Sequence, residues 1–84
     1  MNIDKNIRPL NDKGQRHGLC EYYWENGNPS NKVNFLNGKR NGLFEDYNSN
    51  GNLICKGNYI NNKKIGFWEY YNYNGEVWLK YYCI

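Results

Sequence analysis

Three recurring glutamates among the eight acidic residues, three cysteines and the single histidine are the first candidates for catalysis or metal binding: Glu21, Glu45, Glu69, Cys20, Cys55, Cys83 and His17. Paired carboxylates can serve general acid–base chemistry, a Cys–His pair can make a nucleophile, and clustered thiols can hold a metal. The stretch GFWEYYNYNG, Gly66 to Gly75, offers a fourth chemistry, since its five rings about one acid could stack nucleic-acid bases. Spacing argues against the first three. His17 follows Arg16 in a turn, and no serine or cysteine has a base beside it. The cysteines are odd in number and lack CxxC or His-paired spacing, so they read as reduced structural thiols. Glycines recur at turn spacing without the strand–loop–helix context of a phosphate loop. No enzymatic activity, metal or cofactor is expected.

The elements that position these residues follow from an internal period of 24 residues. GLCEYYWENG begins at Gly18, GLFEDYNSNG at Gly42 and GFWEYYNYNG at Gly66. Gly recurs at 18, 42 and 66 and again at 27, 51 and 75. Glu recurs at 21, 45 and 69, Tyr at 23, 47 and 71, Asn at 26, 50 and 74, and Lys at 32, 56 and 80. Finding such a period comes first because it decides the fold class. The three glutamates are therefore repeat residues, which explains them better than an active site does.

Each copy reads as a β-hairpin. Ala and Thr are absent, Asn supplies about a fifth of the 84 residues, and aromatic residues make up 18%. Asn and Gly mark turns, whereas rings suit half-buried pleated surfaces. Asn26-Gly27, Asn50-Gly51 and Asn74-Gly75 are expected to form two-residue type I′ turns, with hairpins over about residues 18–36, 42–60 and 66–83. A second set of turns, at Lys13-Gly14, Asn37-Gly38 and Asn61-Asn62, joins the copies into one antiparallel meander. The register then sets Glu21 opposite Lys32, Glu45 opposite Lys56 and Glu69 opposite Lys80, as cross-strand pairing favours. Strict alternation puts Leu19, Leu43, Phe67 and the repeated tyrosines on the Glu/Lys face. Cys20, Tyr22, Trp24, Val33, Phe35, Phe44, Leu53, Cys55, Tyr59, Trp68, Tyr70, Val77, Leu79, Tyr81 and Cys83 fall on the other. Residues 1–12 are expected to form a cap or degenerate half repeat before the repeat domain at 13–84.

The pattern G-x-x-E-x-Y-x-x-N-G, followed by Lys and a turn like Asn37-Gly38-Lys39-Arg40-Asn41-Gly42, resembles MORN repeats. It is most similar to the bacterial variant met in small antitoxin-like proteins. The resemblance covers residues 13–84 and is carried best by Gly42, Glu45, Tyr47, Asn50 and Gly51, then by Gly66, Trp68, Tyr71, Asn74 and Gly75. Pro29-Ser30-Asn31 and Asn62 depart from it. It implies an elongated single-layer sheet of stacked hairpins, the architecture that the residues themselves suggest: all-β, three 24-residue hairpin repeats.

Two features could serve binding. Arg16, Lys39, Arg40, Lys63 and Lys64 fall at matching points of successive copies and are expected to line one rim, although the net charge is only +3. Aromatic residues crowd the last copy, where Phe67, Trp68, Tyr70, Tyr73, Trp78 and Tyr81 stand apart from the repeat pattern. Strand Val77–Cys83 would form an aromatic sheet edge open to pairing. The reading is a non-catalytic protein-binding module whose basic rim meets an acidic patch on its partner. The resemblance implies an antitoxin or immunity protein, or a phage-encoded inhibitor of a host defence enzyme, acting on a bacterial toxin or defence enzyme. Anionic phospholipid binding, nucleic-acid binding and self-association, including a homodimer through the C-terminal edge, are the alternatives. MNIDKNIRPLND has no apolar run of the signal-peptide kind and no stretch is long enough to span a bilayer, so the cytoplasm is the expected location.

Overall fold

The computed structural model describes residues 5–84; the first four residues of the expected N-terminal cap lie outside that range. Six antiparallel strands form one open sheet in sequence order: β1 (Gly18–Tyr23), β2 (Pro29–Leu36), β3 (Lys39–Tyr47), β4 (Leu53–Ile60), β5 (Lys63–Tyr71) and β6 (Val77–Cys83). The backbone envelope measures 40 × 38 × 10 Å, the thickness of a single layer. Before β1, Ile7 and Leu10 bridge to Glu21 and Arg16. The acidic and basic repeat residues meet across every strand boundary, Glu21 to Lys32 to Glu45 to Lys56 to Glu69 to Lys80. The carboxylates hydrogen-bond to the neighbouring tyrosines: Tyr23 Oη donates to Glu21 at 3.0 Å and Tyr71 Oη to Glu69 at 3.4 Å.

The turns at the Asn-Gly pairs differ from the expected type. Trp24, Asn48 and Asn72 close three-residue loops onto Asn28, Asn52 and Glu76, with N–H···O distances of 2.8 to 2.9 Å. In these loops only the glycines, Gly27, Gly51 and Gly75, adopt positive φ (93°, 89° and 85°). This is the three-residue hairpin with a glycine in the left-handed region, not type I′. Asparagine supports two of these loops, while the first takes the same geometry with Trp24 at that place. Asn48 Oδ1 accepts from the backbone N–H of Asn50 and Asn52 at 3.0 and 3.1 Å, and Asn72 Oδ1 does the same for Asn74 and Glu76. Such side-chain bonds to nearby backbone hold a turn that the dipeptide alone would not select. Lys13-Gly14 also lies in a three-residue loop, closed by Asn11 and Gln15. Type I′ geometry occurs at the remaining joins, where Asn37 and Gly38 (φ 50° and 87°) and Asn61 and Asn62 (φ 50° and 70°) are both left-handed. Asn62 earns its place there in glycine's stead, because its Oδ1 accepts from Arg40 N at 2.7 Å.

A third loop residue should have displaced every side chain beyond it, yet the Glu/Lys register survives. Each hairpin restores it with a bulge: Ser30, Ile54 and Trp78 are extra residues opposite Tyr22/Tyr23, Asp46/Tyr47 and Tyr70/Tyr71. The correction concerns the faces near the loops. Leu53 and Val77 pair with Tyr47 and Tyr71 of the Glu/Lys face, and Ile54 and Trp78 turn to the other face instead.

The core lies on that other face, centred on β4 and β5, where Cys55, Tyr59 and Trp68 are buried and Phe44, Tyr70, Tyr81 and Cys83 pack around them. Trp68 is 1% exposed because its indole occupies the space above Gly57. A Cβ on Gly57 would stand 2.2 Å from Trp68 Cδ2. The ring sits edge-on to Tyr59, with centroids 5.1 Å apart, and donates from Nε1 to Asn58 O at 3.2 Å. Gly57 also faces three residues of β5, Gly66 to Trp68, just as Asn34 of β2 faces Asn41 to Leu43 of β3. These wide irregularities place positive φ inside the strand at Gly42 (109°), so its recurrence marks a bulge as well as a period.

Candidate interaction surface and aromatic groove

The expected basic rim divides by strand alternation. Arg40 and Lys64 lie opposite Phe35 and Tyr59 across the strands, on the core face. Arg40 stacks 4.4 Å from the Tyr59 centroid and donates to Tyr59 Oη at 3.2 Å. Lys64 Nζ sits 4.6 Å from the Trp68 ring and donates to Tyr81 Oη at 3.2 Å. Arg16, 24 residues before Arg40, lies about 6 Å from the rings of Tyr22 and Phe35. These three cations cover the sheet's own rings. Lys39 and Lys63, on the opposite alternation, are exposed.

The aromatic residues of the last hairpin also separate. Trp68 is core and presents almost no surface. Phe67 is exposed on the Glu/Lys face, edge-on to Tyr82 at 4.9 Å and beneath Lys80 Nζ at 4.7 Å. Tyr73 stands at the loop tip, 82% exposed. Tyr70, Trp78 and Tyr81 share the core face: Tyr70 stacks on Tyr81 at 5.9 Å and 19°, and Trp78, 62% exposed, tilts against Tyr70 at 6.3 Å. The hydrogen bond with Tyr81, then burial, pushes Tyr70 up to about 12.

Tyr70 and Trp78 form one wall of a groove of about 470 Å³ that the sequence did not disclose. Phe44, Tyr59 and Trp68 line its core end, Ile54 and Cys55 lie between the walls, and Asp46 stands on the side away from Tyr70 and Trp78. Asp46 occupies the place, 24 residues on from Tyr22 and back from Tyr70, where the other hairpins carry a ring. That break in the period was the available signal. Burial pushes the Asp46 carboxyl up, and a backbone hydrogen bond from Tyr47 offsets part of this; no cation enters the balance. Lys64, also lining the groove, is turned to Trp68, Tyr70 and Tyr81. Burial likewise raises the thiols of Cys55 and Cys20, which keeps them protonated and poorly nucleophilic. Among the described residues no group of His, Cys, Asp and Glu could hold a metal ion, and no helix is long and apolar enough to cross a membrane.

No protein-family model, curated protein or solved structure matches the chain. The MORN resemblance therefore stands on its sequence pattern alone.

Proposed function

We propose that the protein is a non-catalytic binding module that occludes a partner protein through its C-terminal hairpin. One observation carries this reading: β5 and β6 expose Phe67, Trp78, Leu79 and Tyr82, with Tyr73 at the connecting loop. Trp and Tyr dominate the energetics of protein interfaces, and this hairpin exposes apolar side chains on both faces, Phe67 and Tyr82 on the Glu/Lys face and Trp78 and Leu79 on the core face. The basic rim supports the reading less, since Arg16, Arg40 and Lys64 are engaged with rings and Lys39 and Lys63 remain. The repeat resemblance supports the narrower form, an antitoxin, immunity protein or phage-encoded inhibitor directed at a toxin or defence enzyme.

A photo-crosslinking residue in place of Trp78, in cells of the source organism, tests it. The expected product is one stoichiometric protein adduct, with the untagged Trp78→Ala/Tyr82→Ala variant failing to compete for that partner. Recovery of lipid or nucleic acid instead, or competition undiminished by the double substitution, overturns it.

A further inference from the structure

The groove has the chemistry of a receptor for one cationic side chain. Asp46 on β3 and Tyr70 on β5 are both paired with Cys55 of β4, so a single strand separates the walls. Two strand spacings make about 9.5 Å between the wall backbones, with a small thiol as the floor. Such a slot is one side chain wide. Its aromatic wall is extended by Trp78, which reaches this face only because the three-residue loop and its bulge turn it there. Its opposite wall ends in the Asp46 carboxylate, and the one cation that lines the groove, Lys64, is turned away from it to Trp68, Tyr70 and Tyr81. A ring face attracts a cation, and a carboxylate takes a guanidinium through two parallel hydrogen bonds.

We propose that the slot between Asp46 and Tyr70/Trp78 binds an arginine side chain of the partner protein, its guanidinium stacked on the rings and forked onto the Asp46 carboxylate. This rests on the protein-binding reading and specifies its charge: the partner is basic at the contact, whereas a basic rim alone would call for an acidic one. Arginine suits the slot better than lysine because its planar, weakly hydrated head can stack and fork at once. The same alternation that lays Arg40 on Tyr59 and Lys64 on Trp68 covers the neighbouring rings and leaves Trp78 free.

Titration of the full chain with the capped peptide acetyl-Gly-Arg-Gly-amide, followed by amide and indole NMR shifts, tests the slot without knowledge of the partner. The citrulline peptide is the neutral isostere and the glutamate peptide the charge reversal. The expected result is saturable shifts at Asp46, Cys55, Tyr70 and the Trp78 indole, with citrulline binding about tenfold more weakly. Asp46→Asn, whose folding the same spectra verify, should remove the difference between arginine and citrulline. Equal binding of the two by the wild-type chain overturns the proposal, as do shifts confined to the Glu/Lys face or stronger binding of the glutamate peptide. A failed titration alongside a Trp78-dependent crosslink would leave the binding module standing and refute only the slot.

Discussion

At the scale of single residues, Asp46 conflicts with its surroundings in a way that a measurement can expose. Its carboxyl is raised by burial, so the contribution it makes to stability is full below the ordinary value of 3.8 and is lost as the pH rises through the higher folded value. At neutral pH the ionised group therefore opposes folding. Asp46→Asn should stabilise the protein at pH 7 in denaturant titrations, with the gain shrinking toward zero near pH 3. Tyr70 titrates at the other end of the scale. Its folded pKa of about 12 stands above the ordinary 10.0, so its stabilisation is complete below pH 10 and disappears between 10 and 12. Absorbance of tyrosinate should show Tyr70 ionising late, beside Tyr23 and Tyr47 whose ionisation is also raised by their neighbouring glutamates and by burial, and Tyr81→Phe should return Tyr70 toward the ordinary value.

At the scale of elements, the β4–β5 pair depends on a glycine and a tryptophan fitted to each other. Gly57→Ala would drive a methyl into the Trp68 indole, with β4 and β5 fixed by hydrogen bonds on both sides. Overpacking of this kind should cost about 2–4 kcal/mol in chemical denaturation. Pairing it with Trp68→Leu, which vacates the space, should return part of that loss relative to the sum of the single changes. The loops follow a similar logic, since Asn48 and Asn72 hold them by accepting two backbone N–H groups each. Replacing Asn72 with Ala should cost about 1 kcal/mol and lower the apparent affinity for a Trp78-directed ligand, because the bulge that aims Trp78 depends on that loop.

Over the whole molecule, a layer 10 Å thick cannot bury both of its faces, and stability must vary along the row of strands. Cys55 and Tyr59 of β4 and Trp68 of β5 form the main buried cluster, while β1 and β2 contribute only the facing pair Cys20 and Val33. Residues 7–10 are held by two isolated bridges, Ile7 to Glu21 of β1 and Leu10 to Arg16 just before it. Hydrogen exchange should therefore be slowest in β4 and the facing amides of β5, and about a hundredfold faster in residues 7–17 and on the outer edge of β6. Uniform protection across the sheet would contradict this account.

The sequence by itself determined the period, the all-β meander and the Glu/Lys register. Those depend on residue types recurring at fixed spacing and on the two-residue alternation of a strand, both of which are local. It did not determine the turn type. An Asn-Gly dipeptide favours one loop, yet all three hairpins form another, held at two of them by Asn48 or Asn72 bonding the backbone and reached at the first with Trp24 in that place. One additional loop residue and one compensating bulge leave the ladder unchanged and send Trp78 to the opposite face, which alternation alone cannot foresee. Burial was likewise decided in three dimensions, because Trp68 is covered through the gap at Gly57 on another strand, Arg40 is drawn onto Tyr59 across a strand boundary, and Lys64 lies between Trp68 of its own strand and Tyr81 of the next. Asp46 was legible only as a missing ring in the period. Its place as the acidic wall of a groove follows from the sheet that sets it one strand away from Tyr70.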